Sequence, residues 1–144
     1  MKRLALLLLP FLAIAAFAQS ATDPPLIQPQ ELASVIQSGK NVPVILYIGP
    51  GMLYAQAHIK GAQYIGPAAE PKAREALRTR AKTLRKNQFI VLYCGCCPWS
   101  HCPNVHPAYK ELHELGFTNV KVLYIANNFG ADWYYRGYPV ERGQ

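Results

Sequence analysis

Three runs of largely apolar residues constrain the fold of this 144-residue chain more than any other feature. They cover residues 42–48 (VPVILYI), 89–94 (FIVLYC) and 120–125 (VKVLYI), and β-branched residues are frequent in each. A strand with one solvated face alternates apolar and polar residues, whereas a strand that is buried on both faces is apolar almost throughout. We therefore expect three strands at the centre of a sheet that is covered on both sides.

Helical and short extended segments alternate with these runs. The pattern predicts helices at 29–39, 52–56, 70–86 and 105–115, and further strands at 26–27 and 62–65. Strands that alternate with helices are typical of an α/β fold, here with a mainly parallel five-stranded sheet and helices on both faces. In such sheets, ligands bind at the carboxyl ends of the strands.

The N-terminal segment is typical of a secretory signal peptide. Two basic residues precede an apolar run over residues 4–18, which ends in the small-x-small cleavage signal AFA. A membrane anchor is the alternative, but the run is shorter than the roughly 20 apolar residues of a spanning helix. We predict a signal peptide at 1–18, a flexible linker at 19–25 and one domain at 26–144, with a periplasmic or secreted location and no membrane contact after cleavage.

The chain is basic, with 15 lysine and arginine residues against 8 acidic residues and a formal net charge of +7. Much of the excess lies at 72–86 (KAREALRTRAKTLRK), where the charges are expected on the solvated face of a helix. This field would attract small anions. In an exported protein it does not indicate nucleic-acid binding, and no nucleic-acid partner is expected.

All four cysteines lie in one short segment, YCGCCPWSHCPN at 93–104. Disulfides that stabilise a small scaffold would instead be spread along the chain, and a domain of this length can form an apolar core without them. Cys94 directly follows the second apolar run, between a strand end and a helix start. Backbone N–H groups and the helix dipole at that place would acidify a thiol, so Cys94 is the candidate nucleophile.

Four segments together resemble the rhodanese-like family of sulfurtransferases. They are AHIKGA at 57–62, IVLYC at 90–94, LGFTNVKVL at 115–123, and Trp133 with GYPVERG at 137–143. The resemblance implies a three-layer fold over 26–144 in which Cys94 carries a sulfane sulfur as a persulfide. It also implies a small sulfur-containing anion such as thiosulfate as donor, a thiol or other thiophilic acceptor, and no cofactor.

The same resemblance assigns the loop after Cys94 to substrate binding. The loop residues concerned are Gly95, Cys96, Cys97, Trp99 and Ser100. The backbone amides of the first four would surround the anionic sulfur, whereas Pro98 has no N–H to donate.

Two departures from the family pattern concern positive charge. The loop contains no arginine, and Tyr47-Ile48-Gly49 replaces the Asp-x-Arg that ends the second strand in the family. The usual cationic partners of a bound sulfonate are therefore missing from these positions. Phosphatases related to this fold need C-x5-R, and Ser100 occupies the arginine position, so phosphatase activity is not expected.

The three additional cysteines leave several possibilities open. Cys97 or Cys96 could form a disulfide with Cys102, or Cys97 could resolve a persulfide on Cys94 in a C-x-x-C pair. Alternatively, the four thiols could bind Cu(I) or zinc, with His101 and His106 as nitrogen donors. The alternative to an active sulfurtransferase is therefore a catalytically silent module of this family with a metal-binding or thiol–disulfide loop.

Overall fold

The computed structural model describes residues 23–143. The predicted signal peptide at 1–18 and the start of the predicted linker lie outside these residues. The strands are β1 (Leu26–Ile27), β2 (Val44–Tyr47), β3 (His58–Ile59), β4 (Gln63–Tyr64), β5 (Ile90–Tyr93), β6 (Val120–Leu123) and β7 (Val140–Glu141). The α-helices are α1 (Pro29–Ser38), α2 (Gly51–Gln56), α3 (Pro71–Ala81), α4 (Val105–Glu114) and α5 (Phe129–Asp132). Across residues 23–143, every helix is too short or too polar to cross a membrane.

Five strands form the central sheet, in the order β1, β6, β5, β2, β4. All of its neighbouring strands are parallel, which confirms the predicted α/β class and the five-stranded parallel sheet. The second apolar run forms β5 at the centre, where all four residues are buried. The carboxyl ends of β5, β2 and β6 therefore lie side by side at one edge of the sheet.

The two faces of the sheet carry separate apolar layers. On one face, α3 and α4 pack through Leu77 and Leu112 against a cluster that includes Leu92 and Cys94. On the other face, Leu32 of α1 and Trp133 belong to a cluster that includes Tyr93. Because neighbouring strand residues point to opposite faces, the core is formed by three layers, as the resemblance implied.

A two-stranded antiparallel pair, β3 with β7, was not predicted. The indole N–H of Trp133 donates a hydrogen bond to the carbonyl of Pro139 at 3.0 Å, and the Lys60 N–H donates to the same carbonyl at 3.1 Å. The Gly143 N–H donates to the Ala55 carbonyl at 3.0 Å. These bonds hold the last described residues against α2 and β3, close to the edge where the site lies.

Two element boundaries show how the chain enters and leaves the sheet: the end of α3, which differs from the prediction, and the start of β1 at Leu26, which agrees with it. Helix α3 ends at Ala81, not at residue 86, because the chain tightens there into turns in which the N–H of Thr83 reaches Arg80 and that of Leu84 reaches Ala81. Leu84 then packs against the core and directs the chain toward β5. At the other boundary, the Pro25 carbonyl already accepts a hydrogen bond from the Val122 N–H at 2.8 Å.

Candidate functional site

Cys94 lies at the carboxyl end of the central strand, and its side chain is 3% exposed. Gly95 turns the chain out of the sheet with a φ of +82°, which favours glycine. The Gly95 carbonyl accepts a hydrogen bond from the Phe129 N–H at 2.9 Å, and a Cβ on Gly95 would lie 2.8 Å from the Phe129 Cβ. Glycine at this position therefore joins the cysteine loop to the start of α5.

Gly49 gives the Cys94 sulfur the space that it occupies. A Cβ added at Gly49 would lie 2.7 Å from the Cys94 Sγ and 2.8 Å from the Tyr47 hydroxyl oxygen. That hydroxyl donates to the Pro50 carbonyl at 3.1 Å, and burial raises the pKa of Tyr47 far above its usual range. Tyr47-Ile48-Gly49 thus occupies the place of the family's Asp-x-Arg, and it puts uncharged groups beside the Cys94 sulfur.

Asn104 is a site residue that the sequence reasoning missed. It is 4% exposed and precedes α4, but its side chain does not cap that helix. Its Nδ2 donates to the Cys94 Sγ at 3.4 Å, and its Oδ1 accepts from the Ala69 N–H at 2.9 Å. Asparagine is a preferred helix cap, and its place before α4 gave no indication of another role. The contacts of Asn104 with Cys94 and Ala69 are visible only in the structure.

Three of the four sulfur atoms form a compact group. The Sγ atoms of Cys94, Cys96 and Cys102 all lie within 4.8 Å of one another. The Cys94 thiol donates to the Cys96 sulfur at 3.3 Å, the Cys96 and Cys102 sulfurs are 4.0 Å apart, and the Cys97 sulfur lies 3.2 Å from that of Cys96. All four are free thiols in this structure, so the disulfide with Cys102 stays a prediction.

Three of these thiols hold their protons more tightly than an ordinary cysteine. Cys96 is exposed as a residue, but partial burial of its sulfur, with the hydrogen bond to Cys97, raises the pKa of Cys96 to about 12. A hydrogen bond with Cys94, followed by burial, raises the pKa of Cys102, and burial raises the pKa of Cys97. Nearby thiols and low solvation thus favour the neutral forms of these three additional cysteines.

The rest of the predicted loop is only partly directed toward Cys94. The Trp99 N–H, expected to bind the anionic sulfur, instead donates to the Ile125 carbonyl at 2.9 Å and ties the loop to the end of β6. The Ser100 hydroxyl lies 3.0 Å from the His101 Nδ1, and both residues are exposed. The amides of Gly95, Cys96 and Cys97 stay the predicted sulfur-binding groups.

A cleft of about 710 Å³ opens over Cys94, Gly95 and Cys96. Its walls come from Tyr47 and from three further segments, which contribute residues 53, 56 and 57, residues 128–130, and residues 134, 135 and 142. Asn128 shapes the second wall, because its Oδ1 accepts from the Ala131 N–H at 2.9 Å and caps α5. The third wall is aromatic and includes Tyr134 and the largely exposed Tyr135.

Arg142 supplies to this cleft the positive charge that the cysteine loop lacks. It is the cation among the described residues that line the cleft, and its Nη2 donates to the Tyr134 hydroxyl at 2.7 Å. Its guanidinium also lies 5.9 Å from the centre of the Tyr134 ring, within reach of a cation–π interaction. The cationic partners that are missing from the cysteine loop and from the end of β2 therefore have a candidate replacement in Arg142, on another wall of the same cleft.

Comparisons with known proteins agree with this geometry. The family model described as "Rhodanese-like domain" matches residues 28–124. No curated protein matches the chain significantly.

Three solved structures are similar in fold at low sequence identity. The rhodanese-like domain of an Anabaena sp. protein is 24% identical over 82% of this chain and 79% of its own, with a TM-score of 0.60. A Bacillus halodurans protein is 22% identical over 83% and 77%, with a TM-score of 0.62. The polysulfide-sulfur transferase homodimer of Wolinella succinogenes is 17% identical over 83% and 79%, with a TM-score of 0.57.

The family model matches more than half of the chain, and this is sufficient to assign the family. The three-layer fold, with Cys94 at the end of its central strand, agrees with the assignment. The chain belongs to the rhodanese-like domain family.

Proposed function

We propose that the protein is a sulfurtransferase in which Cys94 carries a sulfane sulfur as a persulfide. The observation that carries the proposal is the shared cleft, which both Cys94 and Arg142 line. A nucleophilic sulfur and a cation in one cleft suit a donor that has both a sulfane sulfur and a negative charge. Thiosulfate has both features.

The reaction with thiosulfate requires no redox partner. The Cys94 thiolate attacks the outer sulfur of thiosulfate, the sulfur–sulfur bond of the donor breaks, and sulfite leaves with the electron pair. A thiolate acceptor then attacks the terminal sulfur of the Cys94 persulfide, which produces an acceptor persulfide and regenerates the Cys94 thiolate. Arg142 would bind the sulfonate oxygens, and the Asn104 amide would donate to the Cys94 sulfur.

Polysulfide is a second donor of the same chemical class. One of the similar folds is that of a polysulfide-sulfur transferase, and a polysulfide chain also combines a sulfane sulfur with negative charge. The aromatic wall at Tyr134 and Tyr135 would accommodate its apolar sulfur chain. The acceptor would approach along the same cleft, where Cys96 is the exposed thiol beside Cys94.

The test is the intact mass of the reduced, chelator-treated protein before and after incubation with thiosulfate. We expect a gain of one sulfur that maps to the peptide containing Cys94 and is lost on addition of a thiol. Sulfite, which has no sulfane sulfur, is the matched control and should add nothing. A Cys94→Ser variant that still gains the sulfur, or a wild-type protein that gains none from thiosulfate or polysulfide, would refute the proposal.

We also propose that the protein is exported and acts outside the cytoplasm. The support is the sequence alone, a basic start and an apolar run over 4–18 that ends in AFA. N-terminal sequencing of the protein recovered from cell fractions should give a chain that starts at Gln19. An intact N terminus in the cytoplasmic fraction would contradict this proposal and leave the sulfur chemistry untouched.

A further inference from the structure

The compact group of Cys94, Cys96 and Cys102 sulfurs has a geometry that suits metal binding as well as sulfur transfer. The Sγ distances are 3.3 Å between Cys94 and Cys96 and 4.0 Å between Cys96 and Cys102, and all three atoms lie within 4.8 Å of one another. A metal–sulfur bond of about 2.3 Å places the sulfurs of a trigonal site about 4 Å apart. The fold therefore holds three thiols at nearly the spacing of a three-coordinate metal site.

We propose that Cys94, Cys96 and Cys102 bind one Cu(I) ion. The donor set consists of sulfur alone, which is the soft ligand type that Cu(I) prefers. Zinc in structural sites usually takes four ligands, and the compact group has three members. His101, the predicted nitrogen donor, lies beside the Ser100 hydroxyl and does not belong to the group.

The three ligands differ in exposure in a way that suits metal entry. Cys94 is fixed by the end of β5, and Cys102 is 3% exposed and held by a hydrogen bond from its N–H to the Trp99 carbonyl. Cys96 is exposed and lines the cleft with Cys94. An ion that enters through the cleft would meet Cys96 first and then the two fixed sulfurs.

A buried amide orients the first of these ligands. The Asn104 Nδ2 donates to the Cys94 sulfur, and the Ala69 N–H holds the Asn104 side chain from its other end. Hydrogen-bond donors to ligand atoms fix ligand orientation and are a regular feature of metal sites. The site therefore has both a ligand set and a supporting group.

Binding involves no electron transfer, because copper enters as Cu(I) and stays Cu(I). Each thiol that becomes a ligand releases its proton to solvent. The ion and a sulfane sulfur compete for the Cys94 sulfur, so a copper-bound chain would not accept sulfur. Copper binding itself does not depend on the proposed sulfur transfer.

The experiment is an anaerobic competition for Cu(I) between the reduced, chelator-treated protein and bicinchoninate, a coloured Cu(I) chelator. We expect one Cu(I) per chain, and X-ray absorption should show only sulfur ligands at about 2.3 Å. Absence of stoichiometric binding, or nitrogen in the first coordination sphere, would overturn the proposal. Sulfur loading measured on the same metal-free protein tells failure of this site from failure of the sulfurtransferase assignment.

Serine variants identify the ligands. Cys96→Ser and Cys102→Ser should each weaken Cu(I) binding about 100-fold or more, whereas Cys97→Ser, the matched control, should stay within about threefold of wild type. Because Cys102 is buried and its substitution can destabilise the fold, the exposed Cys96 provides the second test. Equal binding by all three variants, or tighter binding of Zn²⁺ that requires Cys97, would overturn the assignment.

Discussion

The cysteine loop, residues 94–104, and the C-terminal segment, residues 133–143, both line one cleft, but they do so with different kinds of residue. The loop carries four thiols and no lysine or arginine, and two of its thiols are buried. The C-terminal segment carries the exposed Tyr135, the half-buried Tyr134 and Arg142. The thiols and the positive charge of the cleft are therefore divided between two segments, whereas the resemblance placed both in and around the loop.

This division has a physical advantage for a thiol-rich loop. A cation inside the loop would lower the pKa of every neighbouring thiol, whereas burial here raises the pKa of Cys96 and Cys97. A cation on another wall of the cleft can attract an anion and leave the additional thiols protonated. Hydrogen bonds attach the cysteine loop to α5 through Gly95 and Phe129, and the C-terminal segment to α2 through Gly143 and Ala55; both helices also line the cleft.

The largest expected effect concerns the protonation of the loop. Because the pKa of Cys96 is raised to about 12, its thiolate fraction at pH 8 is far below that of an unperturbed cysteine. A more basic thiolate is also a better nucleophile, which offsets part of the loss of thiolate. Alkylation of Cys96 should therefore be roughly 30-fold slower in the folded protein than in the denatured chain. Iodoacetamide trapping of the metal-free protein with peptide mass analysis measures the rate, which should rise about tenfold per pH unit from pH 7 to 9. A rate that levels off near pH 9 would show that the loop does not protect this thiol.

The next effect removes the charge of the C-terminal segment. Arg142→Gln should raise the KM for thiosulfate about tenfold, because a charge-assisted bond to the sulfonate is lost. Steady-state sulfur transfer to cyanide measures this, and the KM of the variant should depend less on salt.

Arg136 provides the matched control for that experiment. It is an exposed arginine of the same segment, its Nε donates to the Ala131 carbonyl, and it is not among the residues that line the cleft. Arg136→Gln should leave the KM unchanged. Equal effects of the two substitutions would mean that net charge, not the position of Arg142, attracts the donor.

The third effect concerns Gly49, which lies beside the Cys94 sulfur. Gly49→Ala places a methyl group 2.7 Å from the Cys94 sulfur, so it should lower the free energy of unfolding by about 1–3 kcal/mol and displace the thiol. Denaturant unfolding gives the first quantity and the rate of sulfur loading reports the second. Gly51→Ala is the control, since its new methyl group meets the half-exposed Tyr64 hydroxyl at 3.0 Å, which can move aside. Similar losses in both variants would remove the special role of Gly49.

The smallest effect tests the amide that joins the loop to its support. Asn104→Ala leaves the Ala69 N–H without its acceptor and should destabilise the fold by about 1–2 kcal/mol. It also removes a donor to the Cys94 sulfur, so sulfur loading at saturating thiosulfate should slow about threefold to tenfold. Asn104→Asp keeps an acceptor for Ala69, but it buries a carboxylate beside the Cys94 sulfur and lacks the amide donor, so it should recover neither the stability nor the rate. Recovery of both by aspartate would make Asn104 purely structural.

The sequence was sufficient for the sheet and for the position of Cys94. Buried parallel strands require continuous apolar runs, and the chain has three of them at the lengths that a central sheet needs. A cysteine that directly follows such a run lies at the edge where the strands end. The start of α1 at Pro29 and its end at Gly39 were also predicted correctly, because such helix ends depend only on neighbouring residues.

The tertiary structure alone decided the surroundings of that cysteine. The places of Gly49, Asn104 and Arg142 depend on strand order, on a buried hydrogen bond and on the antiparallel pair β3 and β7, which join residues distant in the chain. The protonation of Cys96 depends on burial and on neighbouring thiols, which spacing does not encode. Periodicity and local chemistry thus determined that Cys94 lies at the edge of the sheet. Contacts between distant segments determined that Arg142 lines the same cleft and that the Asn104 amide donates to the Cys94 sulfur.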